Sequence, residues 1–369
     1  MLIMVSIMQK SFNIISASGE YKCTIGQNLL IDFLNSKPEA ILIIDANLLE
    51  YIGNAINKKI IIQATEQTKD LTQIPNIITK LKEYGATRQT ELIGIGGGII
   101  QDLTCFTASI YMRGIEWFYF PTTALGMMDS CIGGKSSINV AGVKNLVGNF
   151  YPPKEIFIDS EFAKSLDKFA VISGIMEAVK ICYTTSNTSP AFNAVCQFAK
   201  VYIETDDLST IRSISAISLM EKKWFIENDE FDKKERQLLN FGHTFGHAIE
   251  SITNYSIPHG IAIGIGMVCA IEMAKIMFNF EAKNLRNILN ILLKPCKNSI
   301  DIFQAISFQD FLIKFQTDKK HTKTHYCLIL PNESEGFALS KMLLEKTQFN
   351  EEKLEIAIEN AKRICNNIK

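Results

Sequence analysis

The chain has 369 residues, of which 47% are hydrophobic and 21% charged, and its formal net charge at pH 7 is -1. This composition is that of an ordinary globular protein. A near-neutral charge without basic or acidic blocks argues against nucleic acid or an anionic membrane as a partner. A chain of this length is expected to form two domains, because single hydrophobic cores rarely grow so large.

The N-terminus and the cysteines bear on the compartment. Residues 1–8 are apolar but few, and Lys10 follows them, so we expect no export signal. We also expect no stretch that approaches the roughly 18 uninterrupted apolar residues of a membrane span. The nine cysteines are scattered, which is typical of reduced thiols that serve as small core residues. These features predict a cytoplasmic protein.

The first half of the chain alternates short apolar runs with segments of helical periodicity, which predicts a parallel sheet covered by helices. Ligands of such sheets bind at the carboxyl ends of the strands. The predicted strands are 40–44, 59–63, 92–95, 116–120 and 155–158. The predicted helices are 48–56, 69–84 and 99–112.

Glycines stand where the third predicted strand passes into a helix. Gly96, Gly97 and Gly98 lack the spacing of the dinucleotide fingerprint. They allow the backbone to approach a pyrophosphate beside the free N–H groups of a helix start, and the alternative is a tight turn. Asp45, which follows the first predicted strand, either accepts hydrogen bonds from ribose hydroxyls or caps the next helix.

Residues 121–150 form a long segment rich in glycine, hydroxyls and amides. A loop of this length in a compact domain is usually functional or disordered, and its flanking apolar residues argue against disorder. Lysines among glycines and asparagines suit phosphate binding, and the alternative is solvated surface lysines. Its polar residues include Asp129, Lys135, Asn139, Lys144 and Asn145.

Helical periodicity dominates from about residue 165 until a strand-like run at 326–330. We therefore predict domains at 1–165 and 166–369. Glu177 and Lys180 lie three apart on an otherwise apolar helix. They either form a surface ion pair or supply the carboxylate of a metal site.

Three of the five histidines, His243, His247 and His259, fall within seventeen residues. On a helix spanning 240–252, the first two lie one turn apart, and Arg236 and Asn240 continue the same face. Neutral imidazole is a metal ligand and a base near neutral pH. The pattern favours a metal or proton-transfer site over hydrogen-bonded core histidines.

Several motifs together resemble the 3-dehydroquinate synthase family of sugar phosphate cyclases. They are IGIGGGIIQD at 93–102, YMRG at 111–114, PTT…DS…GGK…KN at 121–145, SGIMEAVK at 173–180, DEFDKKERQLLNFGHTFGHAIE at 229–250 with PHG at 258–260, and DKK at 318–320. The resemblance implies an α/β fold with an N-terminal Rossmann-like parallel-sheet domain followed by an all-helical metal-binding domain. It also implies a homodimer.

The implied reaction belongs to the shikimate pathway and converts 3-deoxy-D-arabino-heptulosonate 7-phosphate to 3-dehydroquinate and phosphate. It proceeds by oxidation, elimination, reduction and aldol cyclisation, with NAD and a divalent metal. The metal is usually Zn²⁺, with Co²⁺ as an alternative.

The resemblance also assigns residues. NAD would contact Asp45, Glu66, Lys69, Gly96, Gly97, Gly98, Asp102, Thr122, Thr123, Lys144 and Ser165. The metal would be held by Glu177, His243 and His259. Catalysis and substrate binding would use Arg113, Asp129, Lys135, Asn145, Lys180, Lys222, Asp232, Arg236, Asn240, His247 and Lys320. Among these, His247 would transfer protons with Asp232 nearby, and Arg113 would act across the dimer interface.

The motifs depart from the family at a few positions. Asp232 stands where Glu is usual, Ile261 replaces the acidic residue that often follows PHG, and 166–170 differ from the usual segment. The alternatives are another cyclase of the 2-deoxy-scyllo-inosose or valiolone type, an iron-type alcohol or glycerol dehydrogenase, and a non-catalytic relative. Arg236 and Asn240 favour a carboxylated substrate, because guanidinium grips carboxylate with two parallel hydrogen bonds.

Overall fold

The computed structural model describes residues 10–368 except 54, 187 and 335–336. The strands are β1 (Lys10–Ser16), β2 (Gly19–Gly26), β3 (Ile41–Asp45), β4 (Lys59–Ile62), β5 (Leu92–Gly96), β6 (Trp117–Pro121), β7 (Ile138–Val140), β8 (Val143–Val147), β9 (Glu155–Asp159), β10 (His325–Ser334) and β11 (Phe337–Glu345). The helices are α1 (Leu30–Asn35), α2 (Leu49–Ile52), α3 (Ile74–Glu83), α4 (Gly98–Ile110), α5 (Lys168–Thr185), α6 (Pro190–Thr205), α7 (Ser209–Asn228), α8 (His243–Ile252), α9 (His259–Phe278), α10 (Lys283–Leu293), α11 (Lys297–Gln304), α12 (Phe308–Phe315) and α13 (Gln348–Asn366).

The chain folds into two compact units. Unit 1 holds the chain up to Leu166 together with Ile211–Phe231, and unit 2 holds Asp167–Thr210 and the chain from Asp232 onward. The predicted division at 165/166 assigns one continuous segment to each domain. It does not include Ile211–Phe231 in the first domain, where the structure places this segment. The described cysteines are all free, and eight of the nine are buried.

Unit 1 contains the predicted parallel sheet, in the order β1-β2-β9-β6-β5-β3-β4. All neighbours pair in parallel except β1 and β2, an antiparallel hairpin that was not predicted. Strands β5 and β6 are buried along their whole length, which explains their continuous apolar runs. The chain order reverses between β3 and β5, the position at which open parallel sheets bind ligands.

The predicted helices of unit 1 were partly right. Helix α4 agrees with prediction, but α2 ends after four residues, at Gly53 with a φ of 50°. Helix α3 begins only at Ile74, where Pro75 occupies the first turn and needs no hydrogen-bond acceptor. Within 121–150 the chain forms a short π-helical turn, Gly126–Ser130, and the hairpin β7–β8.

Helix α7 packs against the rest of unit 1. The Ser218 hydroxyl donates to the Met128 carbonyl oxygen at 2.7 Å, and Glu227 accepts from the backbone N–H of Ile15 at 2.9 Å. Ile214 of the same helix is fully buried. A segment from the second half of the sequence therefore completes the sheet-bearing unit.

Unit 2 is built around α9, which packs against α5, α8, α10, α13 and β10. Helix α9 has 20 residues, and an 18-residue window within it reaches a mean hydropathy of 1.9, although Glu272 and Lys275 interrupt its apolar run. Most of α9 is buried inside the unit, and its Glu272 pairs with Arg286 of α10. Its apolar character is accounted for by its place as the core helix.

The strand-like run at 326–330 is confirmed as part of β10. Strand β11 pairs with it in an antiparallel hairpin and was not predicted. The hairpin contacts α9 through β10 and α5 through β11. Unit 2 is therefore mainly helical with one hairpin, rather than all-helical.

Candidate metal centre and nucleotide site

Three helices of unit 2 bring the predicted metal ligands together. Glu177 lies on α5, His243 begins α8 and His259 begins α9. A Cβ placed on Gly260 would fall 1.9 Å from the carbonyl oxygen of Ser173 on α5. Only glycine permits that approach, so α5 and α9 touch, backbone to backbone, within one turn of two of the ligands.

The ligands converge on one carboxylate oxygen. Glu177 is fully buried, and its Oε1 lies 3.8 Å from His243 Nε2 and 3.5 Å from His259 Nε2. Lys180, one turn further along α5, donates to Glu177 Oε2. Because Lys180 is also buried, the surface ion-pair alternative is excluded.

The cluster fits a divalent cation. Two ligands of a tetrahedral zinc ion, each about 2.0–2.1 Å from the metal, lie roughly 3.3 Å apart, close to the separations of 3.8 and 3.5 Å found here. The ligand atoms of Glu177, His243 and His259 all lie within 4.8 Å of one another. One carboxylate with two imidazoles is a donor set typical of Zn²⁺ and acceptable to Co²⁺.

The opposite ring nitrogens of both histidines have fixed partners. His243 Nδ1 donates to the Phe241 carbonyl oxygen at 3.1 Å, and His259 Nδ1 donates to Glu250 Oε1 at 3.0 Å. Burial, followed by the charge of Lys180, lowers the pKa of His243 well below its usual value. Burial also acts to lower the pKa of His259, but the hydrogen bond and charge of Glu250 outweigh it and raise that pKa.

His247 lies beside these ligands and is more exposed. Its ring centroid is 5.2 Å from that of His243 and 6.0 Å from that of His259. Surrounding protein atoms and then the charge of Lys320 lower the pKa of His247, although solvent still reaches part of the ring. Lys320 itself pairs with Asp318 at 2.7 Å. A neutral, accessible imidazole is suited to accept a proton.

Arg236 and Asn240 do not continue the helix of the histidines, so that prediction was wrong. They lie on a 3-10 segment, Glu235–Asn240, and α8 begins only at His243. Gly242, which lies between this 3-10 segment and α8, has a φ of 74°. This left-handed conformation interrupts a helix. Arg236 is nevertheless buried, which excludes a solvated charged face.

In unit 1 the glycine turn follows β5 at the carboxyl edge of the sheet. A Cβ on Gly96 would fall 2.4 Å from Ile100, and one on Gly97 would fall 2.8 Å from Thr123, so close packing requires both glycines. A Cβ on Gly98 would meet no heavy atom within 4 Å. Open space therefore lies beside Gly98 at the start of α4, where a helix offers free N–H groups to a pyrophosphate.

A polar network joins three of the predicted NAD contacts. Lys69 Nζ donates to Asp102 Oδ2 at 3.1 Å and to Asn145 Oδ1 at 2.8 Å. The buried Asn139 donates to Glu66 Oε1 at 2.8 Å and accepts from the backbone N–H of Asn145 at 2.9 Å. Burial raises the pKa of Asp102 to about 6, although Lys69 acts to lower it. The network fastens the β7–β8 hairpin to the segment after β4.

Three of the other predicted NAD contacts, Asp45, Thr122 and Ser165, lie at or after the ends of parallel strands. Asp45 accepts from the backbone N–H two residues later, at 3.1 Å, which confirms capping and leaves the ribose contact a prediction. Thr122 is buried directly after β6, and Ser165 ends the turn that follows β9. Lys144 on β8 lies 3.8 Å from Glu66.

Lys222, Asp129 and Lys135, three of the predicted substrate residues of unit 1, have partners within that unit. Lys222 of α7 pairs with Asp129 Oδ1 at 2.7 Å and also donates to its carbonyl oxygen at 2.7 Å. Lys135 Nζ lies 5.8 Å from the ring centroid of Phe150. Arg113 is exposed and has a φ of 72° in the turn after α4. The ion pair places a basic side chain beside the turn Gly126–Ser130.

Comparison with known protein families identifies the family of this chain. The family model of the 3-dehydroquinate synthase N-terminal domain matches residues 59–173, and the model of its C-terminal domain matches residues 174–321. The chain belongs to the 3-dehydroquinate synthase family. The family predicted from the sequence motifs is thereby confirmed.

Several members of the 3-dehydroquinate synthase family align over most of the chain. The 3-dehydroquinate synthase of Alkaliphilus metalliredigens (strain QYMF) is 33% identical over 79% of this chain and 83% of its own. That of Dictyoglomus thermophilum is 36% identical over 76% of this chain and 78% of its own. That of Saccharolobus solfataricus is 36% identical over 70% of this chain and 73% of its own.

Solved structures share the fold at lower identity. A 2-deoxy-scyllo-inosose synthase complexed with carbaglucose-6-phosphate, NAD⁺ and Co²⁺ has a TM-score of 0.77 and 23% identity, over 95% of this chain and 100% of its own. A 2-epi-5-epi-valiolone synthase from Streptomyces hygroscopicus subsp. jinggangensis 5008, with NAD⁺ and Zn²⁺ bound, has a TM-score of 0.77 and 19% identity, over 93% and 97%. A glycerol dehydrogenase from Schizosaccharomyces pombe has a TM-score of 0.59 and 14% identity, over 94% and 90%.

One position at which the sequence motifs depart from the expected pattern, Asp232, lies in a left-handed backbone conformation. Asp232 has a φ of 60°, a left-handed conformation in which Asp is several-fold enriched among non-glycine residues because its short side chain bonds locally. The local backbone therefore suits Asp at this position.

Three residues shape the sites of this 3-dehydroquinate synthase family member in ways that were not predicted from the sequence. Glu250 accepts from the predicted metal ligand His259, and Asn139 donates to the predicted NAD contact Glu66. Ser173 accepts from the backbone N–H of Gly260, where α5 and α9 touch. Of these, only Glu250 had a usable signal, because an acidic residue three positions after His247 lies on the face of the predicted histidine helix.

Proposed function

We propose that the chain converts 3-deoxy-D-arabino-heptulosonate 7-phosphate to 3-dehydroquinate and phosphate. The observation that carries the proposal is the cluster of Glu177, His243 and His259, assembled from three helices in a member of the 3-dehydroquinate synthase family. The glycine turn with Lys69 and Asp102 supports NAD as the second cofactor.

The cofactor sites divide between the two units. Glu177, His243 and His259 would hold the metal, and the glycine turn after β5 would hold the pyrophosphate of NAD. When bound, the metal would acidify a substrate hydroxyl, and NAD would take up and return a hydride. Residues of the chain have to orient the substrate and handle its charges and protons.

Basic side chains suit a substrate with a carboxylate and a phosphate. Arg236 supplies a planar pair of donors for a carboxylate, and Lys222 and Lys135 supply point charges for a phosphate. Lys222 is held by Asp129, so its ammonium group is oriented before a ligand arrives. Preorganised charge of this kind lowers the barrier because little reorganisation remains for the reaction.

His247 is proposed as the proton-transfer residue. Its lowered pKa leaves the ring neutral near pH 7, so that it can accept a proton. Lys320 lies near it and is oriented by Asp318, which favours Lys320 over Lys319 as the substrate contact of this turn. Asp232 is proposed to act in the same proton path.

The oligomer and the compartment are also proposals. The exposed Arg113 turn is compatible with a homodimer in which this residue acts in the partner's site. The eight buried free thiols suit the cytoplasm, where cysteines stay reduced. The substrate class proposed is a phosphorylated sugar acid.

The test mixes purified protein with the heptulosonate phosphate, NAD and Zn²⁺ and measures phosphate and dehydroquinate together. We expect equal amounts of both products and no net NADH. NADH that accumulates with an alcohol substrate would instead identify a dehydrogenase. Turnover of glucose 6-phosphate, which lacks a carboxylate, would instead identify another cyclase.

Two variants separate metal binding from proton transfer. H243A should lose both metal and activity, because a ligand is gone. H247A should retain the metal while its kcat falls about 10²- to 10⁴-fold, the usual contribution of a general acid or base. Metal content is measured by elemental analysis after gel filtration, and metal loss in H247A would contradict these roles.

A further inference from the structure

Glu250 is a buried carboxylate next to the proposed metal ligands that no proposed step uses. It lies on α8, is 7% exposed, and its Oε1 accepts from His259 Nδ1 at 3.0 Å across the contact between α8 and α9. On the other edge of the same ring, His259 Nε2 faces Glu177 at 3.5 Å. The imidazole thus lies between two carboxylates.

The two nitrogens of a neutral imidazole have opposite roles, since one carries a proton and the other a lone pair. A carboxylate can only accept, so Glu250 keeps the proton on Nδ1 and leaves the lone pair of His259 on Nε2. That nitrogen is the one directed at Glu177. The hydrogen bond also fixes the rotation of the ring about its bond to Cβ.

The tautomer and orientation of His243 are set by a different kind of hydrogen-bond partner. Its Nδ1 donates to the carbonyl oxygen of Phe241, a backbone group that no substitution removes. The orientation of His259 depends instead on a side chain. A single substitution can therefore remove the Nδ1 partner of His259, whereas the Nδ1 partner of His243 belongs to the backbone.

We propose that Glu250 is a positioning residue that sets the tautomer and orientation of His259 for metal binding. This inference rests on the proposed metal site. Partners of this kind typically contribute 10- to 100-fold to metal affinity, although they do not touch the metal.

A competing arrangement is available in the same place. His247, Glu250 and His259 also present ligand atoms within 4.8 Å of one another, and in that arrangement Glu250 would bind the metal directly. The cluster with Glu177 is favoured because both of its imidazoles have Nδ1 occupied and Nε2 directed at one oxygen.

The experiment measures Co²⁺ and Zn²⁺ affinity of the full-length protein by competition with a chelator, together with the visible spectrum of the Co²⁺ form. The variants are E250A and E250Q. The matched control is E272Q, which alters another buried glutamate of unit 2, paired with Arg286 rather than with a histidine. Thermal unfolding of the metal-free proteins reports any purely structural effect.

We expect E250A to lower metal affinity about 10- to 100-fold and to alter the Co²⁺ spectrum. E250Q should lose less, because an amide oxygen still accepts from Nδ1. E272Q should keep wild-type affinity, whatever its stability.

Wild-type affinity in E250A overturns the inference and leaves the metal site intact. Absence of metal binding in the wild type overturns both. Complete loss of binding in E250A, with binding kept in H243A, overturns the positioning role in favour of direct ligation by Glu250.

Discussion

Replacing Gly260 by alanine should damage the metal centre without touching a ligand. The added Cβ would lie 1.9 Å from the Ser173 carbonyl oxygen, whereas ordinary contacts begin at 3.4 Å, so α5 and α9 must separate by about 1.5 Å at this point. Metal–ligand distances tolerate only about 0.2 Å. Glu177 and His259 lie within one turn of the contact and cannot both keep their positions.

The substitution should also destabilise the fold. Overpacking of a close contact costs about 1–3 kcal/mol, and G260A places a methyl group against backbone, which has little freedom to yield. We expect metal affinity to fall at least 10-fold, measured by chelator competition, together with a lower unfolding midpoint in the metal-free protein.

The control is G264A, one turn further along the same helix. There the added Cβ would meet the Met176 sulphur at 2.7 Å, and a flexible thioether can move aside. G264A should therefore bind metal nearly as well as the wild type. Equal metal affinity in G260A and G264A would refute the argument that the helix contact sets the ligand spacing.

Two further predictions concern unit 1. The folded-state pKa of Asp102, about 6, is above its unfolded value, so its contribution to stability is full below about pH 4 and is lost as the pH rises through 6. Relative to the wild type, D102N should gain up to about 3 kcal/mol between pH 4 and 7, measured by urea unfolding; a difference independent of pH would contradict this. N139A removes the bond to Glu66 and should weaken NAD binding about 10-fold while metal affinity, measured in parallel, stays unchanged.

The sheet of unit 1 was predictable because its buried strands are continuous apolar runs, as in β5 and β6. The convergence of His243 and His259 was predictable because histidines are few and cluster in sequence. The break at Phe241 and Gly242 was not, since the apolar spacing runs through it, and it shows only in the ψ of 132° at Phe241 and the left-handed φ of 74° at Gly242. Strand β11 was missed because its pairing with β10 is a tertiary contact.

The network around Asn139 was equally invisible in the sequence. Its partners Glu66 and Asn145 are 73 and 6 residues away, and nothing in the composition of the hairpin links them. Asn139 was noted only as one polar residue of a loop. Its function in fastening that loop depends on the sheet order, which brings the end of β4 next to the hairpin.

Helix α7 belongs to unit 1 but follows part of unit 2 in the chain. This order matters during translation. On a ribosome the sheet-bearing unit remains incomplete when Leu166 has been synthesised, because Ile211–Phe231 is still missing. At about 5–20 residues per second, the 65 residues from Leu166 to Phe231 take roughly 3–13 seconds. During that interval the nascent sheet lacks the helix that carries Lys222, and a fragment ending near Leu166 would lack it permanently.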